Sequence, residues 1–412
     1  MSKAVFEPLQ LPNGATLNNR LAKAAMEEGM ANARQQPSEG LIELYRAWAE
    51  GGVGLLITGN VMVDVMAMTG PGGVALQQDS DLAPFKRWAS AAQTNGTRVW
   101  MQINHPGRQV YRNMGGKCLA PSAVALDMGK HSAMFGQPRA MNEEEIMDVR
   151  QRFVITAKRA EAAGFDGVQV HAAHGYLLAQ FLSPLTNQRQ DQWGGSLANR
   201  ASLLLDIVRD IRSQCGADFC VSVKLNSADF QRGGFEVEDA RQVVAWLAEA
   251  GVDLVELSGG SYESPAMQGR AADGRTLARE AYFLEFAESI AREASVPVMT
   301  TGGIRRLAVA EQVIASGVAM VGIASALSYQ PTLPEIWRQA PDFVAEIPPV
   351  NWKDKALGSL ATHAMIKRQL QRLGSGRAPK QKQSPLWALI TDMVRKSRLT
   401  KRYRKSLGLT GS

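Results

Sequence analysis

The chain has 412 residues, 45% of them hydrophobic, and a net charge of +7, enough for one large α/β domain with an appendage or for two ordinary domains. Three cysteines, Cys118, Cys215 and Cys220, show no CxxC spacing; they exclude a disulfide framework and a cluster held by four thiolates, and they point to a reducing cytoplasm. No apolar run approaches the ~20 residues of a membrane-spanning helix, and the opening MSKAVFEPLQ lacks the charged start and apolar core of a signal peptide.

Strands follow in chain order. LAKAAM starts at Leu21, AEGGVGLLITG at Ala49, RVWMQI at Arg98 and AEAAGFDGVQVH at Ala160. FCVSVKL starts at Phe219, LAEAGVDLVELSG at Leu247, VPVMTT at Val296 and VIASGVAMVGIA at Val313. Four of these repeat one pattern: a helical stretch, a glycine, then a continuous apolar run. Glycine supplies the left-handed C-cap of the helix. An apolar run without alternation suits a parallel strand covered on both faces. Helices are expected between strands, as over 202–213 and 237–249. Eight parallel strands alternating with helices predict a (β/α)₈ barrel over 1–345. A doubly wound sheet would carry GxGxxG after an early strand, and none follows 21–26 or 53–58.

Barrel chemistry sits at the carboxyl ends of the strands. After the fourth comes HAAHGY, with His171, His174 and Tyr176. Three readings compete. His105 could join the pair in a metal site, but no carboxylate is expected at the ends of strands five to eight. The residues could be packing alone. Or two imidazole N–H groups converge on one substrate oxygen, as in an oxyanion hole, with a phenol as proton donor. Residue types and spacing favour the clamp. None of these groups is a nucleophile, so the clamp needs hydride from a cofactor. TTGGIRR, from Thr300, opens a helix after strand seven; Gly302 and Gly303 let backbone N–H groups approach a phosphate.

HAAHGYLLAQFLSPLTNQRQDQWGGSLANR, from His171 to Arg200, resembles the old yellow enzyme family of flavin-dependent ene-reductases. FEPLQLPNGATLNNRL, ITGNVMV at Ile57 and MQINHPGR at Met101 resemble it too, and the likeness runs from Phe6 to about Leu327. It implies an FMN-containing barrel, reduced by NADH or NADPH, that passes hydride to the β-carbon of an α,β-unsaturated carbonyl compound. It implies that His171 and His174 bind the carbonyl oxygen and that Tyr176 protonates the α-carbon. It also implies that Ala24, Ala25 and Met26 run past the flavin, with Asn60 near it. Gln102 would bind its pyrimidine edge, and Lys224 would stand near N1 and O2. Gly302, Gly303, Ala324 and Ser325 would form the phosphate loops. A flavin barrel serving a redox partner or membrane quinone is the alternative.

Two positions depart from the family. Glu27 stands where cysteine or threonine is usual; a carboxylate there is either held neutral by burial, or opposes the anionic reduced flavin, or points away. Ser325 replaces a phosphate-gripping arginine, for which Arg305 or Arg306 could substitute.

From Glu346 onward, 15 Lys or Arg stand against 3 Asp or Glu. This +12 tail, in a chain of +7, leaves the body at −5, so the basic excess implies no nucleic-acid site on the body. A helix is expected over 356–373, with Leu357, Leu360, Ala364 and Leu373 on one side, followed by a linker, GSGRAPKQKQSP. LWALITDMV and RKSRLTKRYRK then join an apolar face to cations. The tail reads as an extension packed on its own barrel. Its pattern also permits an anchor on anionic lipid at the inner membrane face.

Overall fold

The computed structural model describes residues 3–265 and 280–409. Eight parallel strands form the barrel: β1 (Leu21–Lys23), β2 (Leu55–Ile57), β3 (Arg98–Asn104), β4 (Gly167–Ala172), β5 (Cys220–Asn226), β6 (Leu254–Ser258), β7 (Val298–Thr300) and β8 (Met320–Ile323). Each pairs with the next, and β8 pairs with β1, so the sheet closes. Every residue of β4 and β5 is buried, as continuous strands enclosed by a helical ring must be.

The ring consists of α1 (Glu39–Glu50), α2 (Ala83–Ala92), α3 (Glu143–Ala162), α4 (Leu197–Gln214), α5 (Val237–Glu249), α6 (Leu284–Ala291), α7 (Leu307–Ala315) and α8 (Leu333–Gln339). Local signals set their starts. Ser38 caps α1, and at α3 Asn142 and Glu145 form a capping box ahead of three glutamates in the first turn. The Asp191, Asn199 and Arg200 pattern stabilises the loop after β4: Asn199 donates to Gly194 O at 3.0 Å and Arg200 to Leu182 O at 2.6 Å.

The basic tail forms α9 (Lys355–Leu373) and α10 (Pro385–Ser406). The expected single apolar side of α9 needs correction. Ala364 and Leu373 are buried, but Leu357 and Leu360 are 45% and 49% exposed, and at 3.6 residues per turn Leu373 falls across the helix from the other three, so the four do not share one side. The segment between the helices is tied down along α9. Gln369 exchanges two hydrogen bonds with the Lys380 backbone, at 2.7 and 2.8 Å, and Gln383 donates to Met365 O at 3.2 Å. Ala388 packs with Ala364 and Met365, while Arg368 meets Thr391. So α10 starts beside the middle of α9 and runs in the same direction. It then crosses the loops after β1, β2 and β3: Arg395 donates to Gly29 O, Arg402 to Ala31 O and the Tyr403 hydroxyl to Val65 O. The extension therefore packs on its own barrel at the catalytic end. Among the described residues, no helix is long and apolar enough to cross a membrane.

Candidate active site

The turn after β4 builds the centre of the site. His171 lies in β4, 2% exposed. His174 and Gly175 both take left-handed backbone, φ 60° and 72°. A side chain at Gly175 would meet Ser261 Cβ at 2.8 Å, so this turn needs glycine. A left-handed histidine is uncommon and is held here from both ends. Its N–H donates to Asn226 Oδ1 at 3.0 Å, and its carbonyl accepts from Gln109 at 3.1 Å. The turn brings the rings together: His171 lies 5.1 Å from His174 and 4.9 Å from Tyr176, centroid to centroid.

Burial holds both imidazoles well below the usual histidine range, helped by the nearby Lys224 charge, so both are neutral at pH 7. The Ala173 N–H donates to His171 Nδ1 at 3.2 Å, which leaves the ring proton on Nε2. His174 Nε2 lies 2.7 Å from Ser258 Oγ; when that hydroxyl donates, the proton of His174 sits on Nδ1. Each ring then has one N–H left for a ligand.

The Tyr176 hydroxyl lies 3.2 Å from that of Tyr262, and the Asn60 amide also hydrogen-bonds it. Burial, then the Glu27 charge, pushes the Tyr176 phenol above its ordinary value, so it stays protonated through the neutral range. Tyr111, Phe135, Tyr262 and Tyr176 form a row of rings with neighbouring centroids 4.9–6.0 Å apart. His105 stands apart. Its Nδ1 accepts from Gly107 N at 3.1 Å, and burial takes its pKa down to about 4. Among the described residues no three His, Cys, Asp or Glu side chains are grouped as a metal would need.

Inside the barrel Gln102 and Lys224 belong to one buried chain. The Gln102 amide donates to Gln169 at 2.7 Å, Gln169 donates to Glu256 at 2.9 Å, and Lys224 pairs with Glu256 at 2.7 Å. Strand register sets this up, since Gln169 lies opposite Gln102, and Lys224 lies between His171 and Glu256. Sequence reasoning missed Gln169 and Glu256. Their signal was a polar residue flanked by apolar neighbours inside the strands GVQVHA and LVELS.

At Glu27 the structure corrects the expectation of a carboxylate neutralised by burial. Its side chain is 37% exposed; it accepts from Thr69 Oγ1 at 2.7 Å and pairs with Lys367 of α9 at 3.3 Å. The Lys367 charge holds its carboxyl below the usual range. Its charge also helps to raise the phenols of Tyr111, Tyr176 and Tyr262. Ala24 is buried, while Ala25 and Met26 are partly exposed on the same loop.

At the phosphate end, Gly302 and Gly303 have φ of 133° and 70°. Tyr282 packs on both glycines, so close that a side chain at Gly302 would meet Tyr282 N at 2.6 Å. Glu280 accepts from Arg305 N at 2.9 Å and pairs with the Arg306 guanidinium at 2.8 Å. The two arginines expected to replace the missing one are thus engaged by a carboxylate. Ala324 and Ser325 are partly exposed at the start of a short helical turn. The donor set at the ring end, an amide and an ammonium, fits the carbonyl-rich edge of a flavin. The glycine pair offers the close backbone approach a phosphate needs, with Tyr282 packed on it and Glu280 holding the flanking arginines.

A family model described as the NADH:flavin oxidoreductase / NADH oxidase family matches residues 4–340. The chain belongs to this family, that of old yellow enzyme. It is 37% identical over 350 residues to the NADH-dependent flavin oxidoreductase iliE of Hypocrea jecorina (strain QM6a), covering 80% of this chain and 87% of that one. It is 38% identical over 383 residues to the protein of the same name from Neonectria sp. (strain DH2), covering 87% of this chain but only 50% of the relative. A 2-naphthoyl-CoA reductase, solved with 2-naphthoyl-CoA, superposes with a TM-score of 0.74 at 26% identity, over 82% of this chain and 52% of that one. An old yellow enzyme homologue from Zymomonas mobilis, at 23% identity and a TM-score of 0.70, over 84% of this chain and 95% of that one, shares the fold. FMN is the family's cofactor and a nicotinamide its reductant.

Proposed function

We propose that this family member reduces the activated C=C bond of α,β-unsaturated carbonyl compounds with NADH or NADPH. Bound FMN supplies hydride exchange between the nicotinamide and the β-carbon. Gln102 and Lys224 hold the flavin ring. The N–H groups of His171 and His174 hold the carbonyl oxygen and the charge that develops on it. Tyr176 gives its proton to the α-carbon, oriented by Tyr262 and Asn60. The row of aromatic rings suits a flat, apolar substrate. The observation that carries this reading is the contact of the His171 ring with those of His174 and Tyr176, with both imidazoles neutral.

The purified holoenzyme is expected to lose its flavin colour with NADH under anaerobic conditions and to regain it on addition of 2-cyclohexenone. Colour that returns with a quinone but not with the enone overturns the enone reading and favours electron transfer.

The exposed face of α10 supports contact with an anionic lipid surface. Leu386, Trp387, Ile390, Met393 and Val394 are 43–62% exposed. At 3.6 residues per turn they share an arc of about 120°. Arg398, Lys401 and Lys405 are exposed further along the helix, whereas Asp392 is buried and paired with Lys396. Apolar anchors beside cations suit a negatively charged bilayer. The intact protein should sediment with phosphatidylserine vesicles at low salt and lose this with Trp387→Glu, Ile390→Glu. Binding that is equal on phosphatidylcholine, or unchanged in the double variant, removes the idea.

A further inference from the structure

The tail contains a second concave site. Between α9, α10 and the segment joining them lies a cavity of about 260 Å³, lined by Arg368, Arg372, Arg377, Arg395, Thr391 and Asp392 among others. Four guanidinium groups on one small cavity repel one another, and the acidic side chain on its lining, Asp392, is paired with Lys396 rather than with any of them. Arg368 donates to Thr391 Oγ1 at 3.3 Å, Arg372 to Ala378 O at 2.9 Å and Arg395 to Gly29 O at 2.6 Å, all neutral acceptors. Among the described residues, no carboxylate lies within ion-pair distance of any of the four, and Asp392 pairs with Lys396 at 2.8 Å. Several arginines of the barrel behave differently. Arg98, Arg108, Arg150, Arg212 and Arg241, for example, all pair with carboxylates. Planar guanidinium forks with free donors match phosphate oxygens two at a time.

The cavity adjoins the reactive site. Arg395 lines it and also binds the carbonyl of Gly29, two residues beyond Glu27. Lys367, which pairs with Glu27, precedes Arg368 on α9. A volume of about 260 Å³ is small for a whole cofactor, whose pockets run from ~300 Å³ upward, but it suits one or two phosphates with part of a sugar. We propose that the α9–α10 cavity binds the phosphate groups of an adenosine nucleotide whose reactive end enters the barrel. Two ligands carry that chemistry: the nicotinamide reductant, and a coenzyme A thioester as substrate. The proposal rests on the flavin-reductase reading for its reactive end, but the nucleotide binding is measured without turnover.

Calorimetry on the holoenzyme with ADP, adenosine 2′,5′-bisphosphate and adenosine 3′,5′-bisphosphate, against inorganic phosphate, tests it. At least one nucleotide should bind more tightly than inorganic phosphate, and Arg368→Gln, Arg372→Gln should weaken it by about tenfold or more. Arg377→Gln, on an exposed residue beyond the end of α9, should weaken binding in the same direction and so separates loss of a guanidinium from any disturbance of the helix. The KM of the matching ligand should rise while kcat stays level. For ADP that ligand is NADH and NADPH alike. For the 2′,5′ compound it is NADPH alone, and for the 3′,5′ compound an enoyl-CoA, with a free enone unaffected. No nucleotide binding beyond that of inorganic phosphate overturns the proposal, and so does affinity that both variants leave unchanged.

Discussion

Tyr176→Phe is expected to slow the oxidative half-reaction with an enone by about 10²–10⁴-fold, the range for loss of a general acid, while reduction by NADH keeps its rate. The phenol is the acidic proton held at this point of the site: it sits 4.9 Å from His171, ring to ring, and shares hydrogen bonds with Tyr262 and Asn60. Phenylalanine keeps the ring and its packing but removes the proton. The same environment sets the pH dependence. Burial and the Glu27 charge raise the Tyr176 pKa above its ordinary 10, and burial lowers both histidines below their ordinary 6.5. A group with raised pKa keeps its proton as pH climbs toward 10, and groups with lowered pKa stay neutral as pH falls toward 6.5. The wild-type oxidative rate should therefore be flat from about pH 7 to 9. Stopped-flow absorbance separates the two half-reactions. Equal loss in both assigns Tyr176 to the shape of the site rather than to proton delivery.

Glu256→Leu is expected to destabilise the flavin-free protein by about 3–5 kcal/mol, the usual consequence of stranding a buried charge. Lys224 and Glu256 are 4% and 0% exposed and 2.7 Å apart, and Glu256 also accepts from Gln169. Removing the carboxylate leaves an ammonium in the barrel interior with nothing to balance it. Adding Lys224→Met should restore most of the stability, because a buried ion pair replaced by apolar groups of similar size is often close to neutral. The double variant should still bind FMN weakly, having lost the cation proposed for the ring site. Urea midpoints read the first effect and flavin content the second. A double variant as unstable as the single one would mean that the glutamate acts through Gln169 rather than through Lys224.

The barrel was legible because its signals are local. Each apolar run is continuous, and glycine ends the helix before four of them, so five of the eight strands lie within the stretches expected of them and the other three, β3, β4 and β5, run one residue past. The His171, His174 and Tyr176 group was legible too, since six consecutive residues carry all three rings. Long-range pairings were not. Glu27 and Lys367 are separated by 340 positions, and no pattern near either announces the other. Nor does the one apolar side expected of α9 hold, since Leu357 and Leu360 are exposed while Leu373, across the helix from them, is buried. Arg305 and Arg306, candidates after β7 to replace the missing phosphate-gripping arginine, are both engaged by Glu280.

By itself, then, the order of residues determined the alternation of strand and helix, and which side chains emerge where the strands end. Hydrophobic continuity and turn chemistry act over a few residues, so they are written in the string. Only the tertiary structure decided which charge meets which. It set Glu256 beside Lys224, laid the basic tail across the mouth of the barrel, and gave Glu27 a cation from α9. Electrostatic partnership depends on distance in space, and strand register and helix docking create those distances after the chain has closed on itself.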